Sequence, residues 1–568
     1  MDPISLALGA IVLIKPVCKS IHDTWQAYRL FGHGSERLRL RFSVQMSRVD
    51  SFERVLFETG KFDPPMAGRL VDHMPAQLCR DMAGLLWELY DLVQQYAAVQ
   101  DRYALQADDQ TSADLVAALK DMDVNNDFSR SGQDQRVKAL MELAKRDGSA
   151  RQNSTDWLRK VTWALRDKRS LEKLVQEFEQ YTERLKTLVE VAWWPLPFFQ
   201  SASAIAHVEK DGDANETGLL KGSGIRKLLV EPSLALPGKS GKNLEIARVR
   251  FRPSGRSGPF EFGRLEGTSS PEQWYMAEDR LYGSNTNEKA RERIIQLAAL
   301  LNEAADTDSQ FKICQCVGYF NDTAEQRIGI VSILPVDPST SPPQMHTLSS
   351  LLATKNFRPE LGTRVKLAMA LMKSVRMLHL YGWVHKSLRS ENVLLLPANA
   401  KSQADKGTPP ANPQNMSVDL AEPRIAGFEY ARPESDFSSA SPQHDLSENL
   451  YRHPARWGVP RERFGKSHDM YALGVILFEI GLWERVADLD KGILLSPAMA
   501  ADPEAVRQRL VKHAQRRLAF YAGSRYANFV LFCLNSGVPI GQSEDQKRQE
   551  VFLNAIEHIC ALTEEFAH

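Results

Sequence analysis

Cysteine is scarce in this chain: six in 568 residues (Cys18, Cys79, Cys314, Cys316, Cys533, Cys560), with no C-x-x-C pair. That excludes a disulfide-stapled scaffold and a thiolate zinc site, and it points to a reduced, intracellular setting. Net charge is missing too. Lys+Arg and Asp+Glu both total 71, so no bulk field draws the chain to nucleic acid. No internal repeat is apparent. No apolar run reaches the roughly 20 residues that a bilayer span takes. The longest, Ile4 to Cys18, is interrupted by Ser5, Lys15 and Pro16, and it follows Asp2 rather than the basic start of a signal peptide.

What is present suits a soluble globular protein. The hydrophobic fraction of 43% and charged fraction of 25% are ordinary, and the length suggests roughly two to four domains. Up to about residue 200 every periodic segment reads as helix. Ile4 to Phe31 forms the first, ended by Gly32-His33-Gly34, with Pro16 expected to kink it. The second runs from Ser35 to Phe57, where Leu38, Phe42, Met46, Val49, Phe52 and Leu56 recur at three- and four-residue steps. A third covers about 75–100, shorter helices fall between Ser112 and Asp147, and a last one runs from Ser154 past Leu188 with a basic first half. Trp193 to Phe199 ends it, and a linker rich in Ser, Ala, Gly and Asp follows over 201–224.

Beyond residue 225 the pattern changes. Short β-prone runs (Leu228 to Val230, Leu244 to Phe251, about 273–282, Lys312 to Tyr319, Ile328 to Leu334) surround a helix at about 287–303. Helices then dominate, including Leu361 to Tyr381 and His468 to Glu484. The Pro-rich polar stretch 398–423 reads as a disordered insertion, and Val551 to His568 as a closing helix.

One string carries most of the information: His385-Lys386-Ser387-Leu388-Arg389-Ser390-Glu391-Asn392 before the apolar run Val393 to Leu396. It resembles the catalytic loop of protein kinases, H-R-D-L-x-x-x-N, in which the aspartate takes the substrate proton and the asparagine holds Mg²⁺. Arg424 to Glu429 resembles the strand leading into D-F-G, Tyr451 to Ala455 the end of the activation segment, and Ser467 to Ile480 the central helix of the large lobe. The resemblance covers about 225–565 and implies a two-lobed fold, with a small lobe at about 225–336 and a large lobe at about 345–568.

The chemical positions, however, are degenerate. Ser387 stands where the base belongs, and a serine hydroxyl is no base at neutral pH. Gly427 stands at the metal-binding aspartate, Phe428 is kept, and Glu429 replaces the glycine. His385 and Asp469 read as structural, and Asn392 remains as a lone ligand. No G-x-G-x-x-G occurs, with Gly238 to Gly241 a weak substitute, and no V-A-I-K lysine can be placed. Arg280 is the nearest cation on the candidate third strand, and Glu292 is the candidate for the ion-pairing glutamate of the helix. The expectation is a pseudokinase: no enzyme, no metal, and no cofactor, with ATP binding left open.

The first 200 residues resemble the HeLo and HeLo-like domains of filamentous fungi. The strings that carry this are Met1 to Ala10, Trp25-Gln26-Ala27-Tyr28, Trp163 to Lys168 and Leu171 to Val175. The resemblance implies a helical bundle that causes cell death in fungal incompatibility by inserting an apolar N-terminal helix into membranes. A bundle before a pseudokinase also resembles the mixed-lineage kinase-like executioners of necroptosis.

The expected fold is therefore α plus α+β: a helical bundle (1–200), a linker (201–224) and a two-lobed kinase-like domain (225–568). The expected role is regulated cell death. A pseudokinase restrains a membrane-active helix carrying Ile4, Leu6, Leu8, Ile11, Val12, Leu13 and Ile14. The implied partners are a second copy of the chain, anionic lipid and an upstream receptor or signalling protein, and no nucleic acid. The implied location is cytoplasmic, relocating to the plasma membrane on activation. The alternatives are a non-enzymatic scaffold without membrane activity and an active divergent kinase.

Overall fold

The computed structural model describes residues 2–27, 33–59, 68–74, 76–104, 168–193, 201–219, 223–231, 233, 244–257, 260–268, 272–281, 288–307, 311–338, 345–397, 418–434, 446–458 and 463–535. The helices expected between Ser112 and Asp147, the stretch around Trp163, the aromatic cluster Trp194 to Phe199, the turn at Gly238 to Gly241 and the closing helix lie outside them. The chain divides into two compact units, Met1–Ser223 and Gly224–His568.

The first unit is helical: α1 (Pro3–Ala27), α2 (His33–Phe57), α3 (Ala76–Ala104), α4 (Lys168–Trp193), α5 (Ala202–Val208) and α6 (Gly212–Glu216). Phe42 of α2 and Phe178 of α4 meet edge to face at 5.4 Å between ring centres, among buried Phe52, Leu86, Leu89, Val93, Leu174 and Leu185. Burying side chains of this size contributes about 1.5–3 kcal/mol each. One polar pair sits inside: the Thr182 hydroxyl donates to Gln45 Oε1 at 2.7 Å, which satisfies both groups.

Two expectations for this unit need correction. Gly34 lies inside α2 rather than ending α1, since a glycine near a helix N-terminus is tolerated. The 201–224 linker contains two helices, each started by a side-chain cap: Ser201 accepts from the Ala204 N–H, and Asp211 accepts from those of Asp213 and Ala214. The second of them is tied to α2. The Asp213 carboxylate accepts from Ser51 Oγ at 3.0 Å and from Arg54 Nε and Nη2 at 2.9 and 2.6 Å.

The second unit opens with a short helix, α7 (Ser223–Val230), then an antiparallel sheet of β1 (Phe251–Ser257), β2 (Phe260–Leu265), β3 (Tyr275–Leu281), β4 (Cys316–Asp322) and β5 (Arg327–Ile333) in spatial order β1-β2-β3-β5-β4. Helix α8 (Glu288–Thr307) connects β3 to β4 and packs on β4. Three of the five expected strands and the helix are present, as β3, β4, β5 and α8, whereas β1 and β2 lie from Phe251 onward, where no strand was expected. Leu228 to Val230 is helical, because a three-residue apolar run carries no period. From Leu244 to Arg250 there is one bridge, Glu245 to Tyr319, and a 3₁₀ turn with Val249 73% exposed, so that the strand proper starts at Phe251.

After the sheet come β6 (His346–Thr347), α9 (Leu348–Leu352), α10 (Leu361–Leu380), β7 (Trp383–Val384), β8 (Val393–Leu395), β9 (Arg424–Ile425), β10 (Arg432–Pro433), α11 (Leu446–Asn449), α12 (Lys466–Leu482), α13 (Pro497–Ala501), α14 (Pro503–His513), α15 (Ala519–Ala522) and α16 (Ser524–Leu534). Helix α12 is buried from His468 to Leu482 and packs against α10 and α16. Residues 398–417 of the expected insertion lie outside the described residues. By Val418, which pairs with Pro397, the chain is already back in the fold, earlier than the expected end at 423.

Candidate functional site

The loop His385–Asn392 joins β7 to β8, and β9 lies antiparallel to β8 with Val393 opposite Ile425. That register places Ala426-Gly427-Phe428 against the loop, with the Ala426 N–H donating to the Asn392 carbonyl at 2.9 Å. Asp469, in the first turn of α12 and wholly buried, anchors the loop from below. Its carboxylate accepts from the backbone N–H of His385 at 2.6 Å and of Lys386 at 2.9 Å, and it lies 3.2 Å from His379 Nε2. Burial acts to raise the Asp469 carboxyl. The His379 bond and charge, with further help from His385, outweigh it and hold the group below its ordinary value. The anchor keeps Lys386 in the left-handed backbone region (φ 67°), which is unusual for a residue with a Cβ.

The six predicted site residues of the large lobe come together. His385, wholly buried, lies with its ring centre 4.6 Å from that of Phe428, the two rings tilted by 45°, and burial pushes its imidazole down to about 4, so that it is neutral at pH 7. The Ser387 hydroxyl receives a bond from Asn392 Nδ2 at 3.1 Å and lies 3.4 Å from Glu429 Oε1. Asn392 Nδ2 also donates to the Ser387 carbonyl at 2.7 Å, which turns its amide toward the loop. Gly427 adopts φ +76°, and a Cβ there would lie 2.3 Å from Asn392 Cγ and Nδ2. Glycine is the one residue that meets both demands. Ser390 and Tyr451 share a 2.7 Å hydrogen bond, and Tyr451 in turn donates to buried Glu479 at 2.8 Å, tying the loop to α12 a second time.

Glu292 does not join this group. It lies on α8, partly buried. A residue not singled out from the sequence takes part instead. Glu278 on β3 accepts from the backbone N–H of Gly427 at 3.0 Å and of Phe428 at 3.1 Å through one oxygen, Oε2. Burial pushes its carboxyl up to about 7, against the pull of those two amides and of Arg280. Arg280, two residues on along the strand, is buried on the same face, and burial lowers it to about 10. The signal open to sequence reasoning was that spacing of two in Glu278-Asp279-Arg280.

Lys386 is the other residue passed over. Its ammonium sits 5.6 Å from the Phe464 ring centre. Burial, joined by Arg432, Arg456 and Arg452, lowers it to about 7. Among the described residues no group of three His, Cys, Asp or Glu side chains is placed to hold a metal ion.

In the first unit the predicted residues of α1 divide. Ile11, Leu13 and Ile14 are buried with Ala7, Ala10, Cys18 and Ile21, whereas Ile4, Leu6, Leu8 and Val12 are partly exposed. The expectation of too short a run is corrected: α1 continues through Pro16, and Pro3–His22 is 20 residues at a mean hydropathy of 1.8, long and apolar enough to cross a bilayer. Within the bundle 44% of that stretch is buried. Asp2 caps the helix through the N–H groups of Ile4 and Ser5, both at 3.3 Å. Lys15, one of two lysines inside that stretch, pairs with Asp50 at 2.9 Å and with Glu53, both on α2.

The class these observations define is a two-part protein, an N-terminal helical region followed by a region that combines an antiparallel sheet with helices. Residues 6–196 match the family model HeLo, described as prion-inhibition and propagation. The match spans the bundle and ends before α5. A search of the curated proteins finds none that matches the chain.

Proposed function

We propose that the chain is a fungal cell-death or incompatibility signalling protein in which a non-catalytic kinase-like unit governs a membrane-active HeLo bundle. The observation that carries this reading is α1: a helix of membrane-spanning length and apolarity, inside a HeLo match, with fewer than half of its residues buried. Burial in a bundle and burial in lipid are worth a similar amount per apolar side chain, about 1.5–3 kcal/mol for Leu or Ile. A modest bias from elsewhere in the chain is enough to choose between them. Lys15, Lys19 and the arginines of α2 at positions 37, 39 and 41 would then meet anionic head groups, at about 1 kcal/mol each. Several copies acting together would be needed to breach a bilayer with one helix each.

The reading of the second unit as kinase-like rests on its strand order, on the helix between β3 and β4, and on the loop that Asp469 anchors. Its lack of phosphotransfer rests on Ser387, which offers a hydroxyl already bonded to Asn392, and on Gly427, which offers no side chain.

Dye release from anionic and neutral liposomes tests the proposal, with residues 1–223 compared to the full chain. Release by the fragment, strongest on anionic lipid and weak for the full chain, is the expected result. Leu8→Lys, at a partly exposed position, should abolish release while circular dichroism stays unchanged. A folded fragment that releases dye from neither lipid refutes the membrane role and leaves a scaffold.

A further inference from the structure

Glu278 makes a bond pattern that the loss of catalysis does not require. A unit that merely lacked a base and a metal ligand could keep an open seat beside Asn392. Here that seat is filled from within. The Glu278 carboxylate reaches from β3 across to the turn and takes both backbone amides that begin it, at 3.0 and 3.1 Å. Opposite, the Asn392 side chain occupies the space where a Cβ of residue 427 would lie.

The charges nearby point the same way. Glu429, the next acidic residue, is pushed up by burial and faces Arg389, which also pairs with Glu448. Arg280 is the cation that faces Glu278. A polyphosphate brought to this place would meet two carboxylates, with Arg389 already paired to Glu448 and Arg280 set in the field of Glu278 and Glu429. At the short distances involved, like charges repel by several kcal/mol in a partly desolvated site.

We propose that Glu278 is an internal latch that closes the junction of β3 and the 427–430 turn against nucleotide phosphates. The chain then holds this junction in one state without a bound cofactor, and β3 is tied to the turn by a side chain rather than by a shared ligand. The inference rests on the kinase-like reading of this unit, because a nucleotide is the ligand such a unit would otherwise take. It is independent of any action on lipid.

The test uses the full-length chain. Hydrogen exchange at the Gly427 and Phe428 amides, read at a pH above 7 where Glu278 is ionised, should be slow in the wild type and at least about tenfold faster in Glu278→Ala. Glu278→Gln keeps an acceptor oxygen and the side-chain shape, and it should fall between the two. Millimolar ATP or ADP, with and without Mg²⁺, should leave the wild-type melting temperature unchanged. Stabilisation of the wild type by nucleotide overturns the latch, as does unchanged amide exchange in a folded Glu278→Ala or Glu278→Gln. Phosphotransfer by the wild type, by contrast, would refute the non-catalytic reading itself, so the two failures are distinguishable.

Discussion

Putting a side chain back at residue 427 should fail for a reason specific to this fold. At Gly427→Ala the backbone stays at φ +76°, which costs about 1–2 kcal/mol for a residue with a Cβ. The new methyl, at 2.3 Å from the Asn392 amide, must also displace it. That breaks the bonds of Asn392 to the Ser387 carbonyl and hydroxyl, worth about 1 kcal/mol each. The expected loss is about 3–4 kcal/mol, and Gly427→Asp should be no better tolerated. A double-mutant cycle isolates the steric part. Asn392→Ala loses the same two bonds but opens the space, so adding Gly427→Ala to it should cost only the backbone share, about 1–2 kcal/mol. Calorimetry on the full chain, following the transition of the second unit, supplies the four stabilities. Additive effects, or a Gly427→Ala loss under about 1 kcal/mol, would refute the steric argument.

Two further outcomes follow from the geometry. Burial raises Glu479 to about 8 and Glu278 to about 7, above their unfolded value of 4.5, so the folded unit binds protons more tightly than the unfolded chain between those limits. The share of stability these two carboxyls contribute should therefore fall as pH rises from about 4.5 toward 8, and across that range the wild type should lose stability relative to Glu479→Gln in melts of the two proteins. In the helical unit, Arg54→Ala and Asp213→Ala should each cost about 1–2 kcal/mol, allowing for the partial exposure of the pair, with no further loss in the double variant. Limited proteolysis should then cut within 201–219 sooner than in the wild type.

Local order was legible where a long helix had to bury one face or all of them. The three- and four-residue steps from Leu38 to Leu56 define α2 because only a helix aligns them. The apolar stretch from Met470 to Leu482, interrupted only by Glu479, fits a helix buried all round. What Ser387 and Gly427 can offer chemically was also open to reading, since it depends on which atoms a residue carries and not on where they lie. The weak points were short or capped segments. Leu228 to Val230 has too few residues to show a period, and the helices of 201–219 depend on Ser201 and Asp211 caps inside a stretch whose composition suggests a linker.

The amino-acid sequence alone thus determines two parts of different architecture, an apolar first helix, and the residue types of the 385–392 loop and of Gly427. Tertiary structure alone decides that Asp469 anchors that loop, that the Asn392 amide fills the place above Gly427, and that Glu278 binds the turn across the sheet. The reason is separation along the chain. Asp469 bonds a residue 84 positions away, and Glu278 one 149 positions away. A hydrogen bond between such distant positions leaves no periodicity or spacing to read. It becomes visible only when the fold has brought the two ends together.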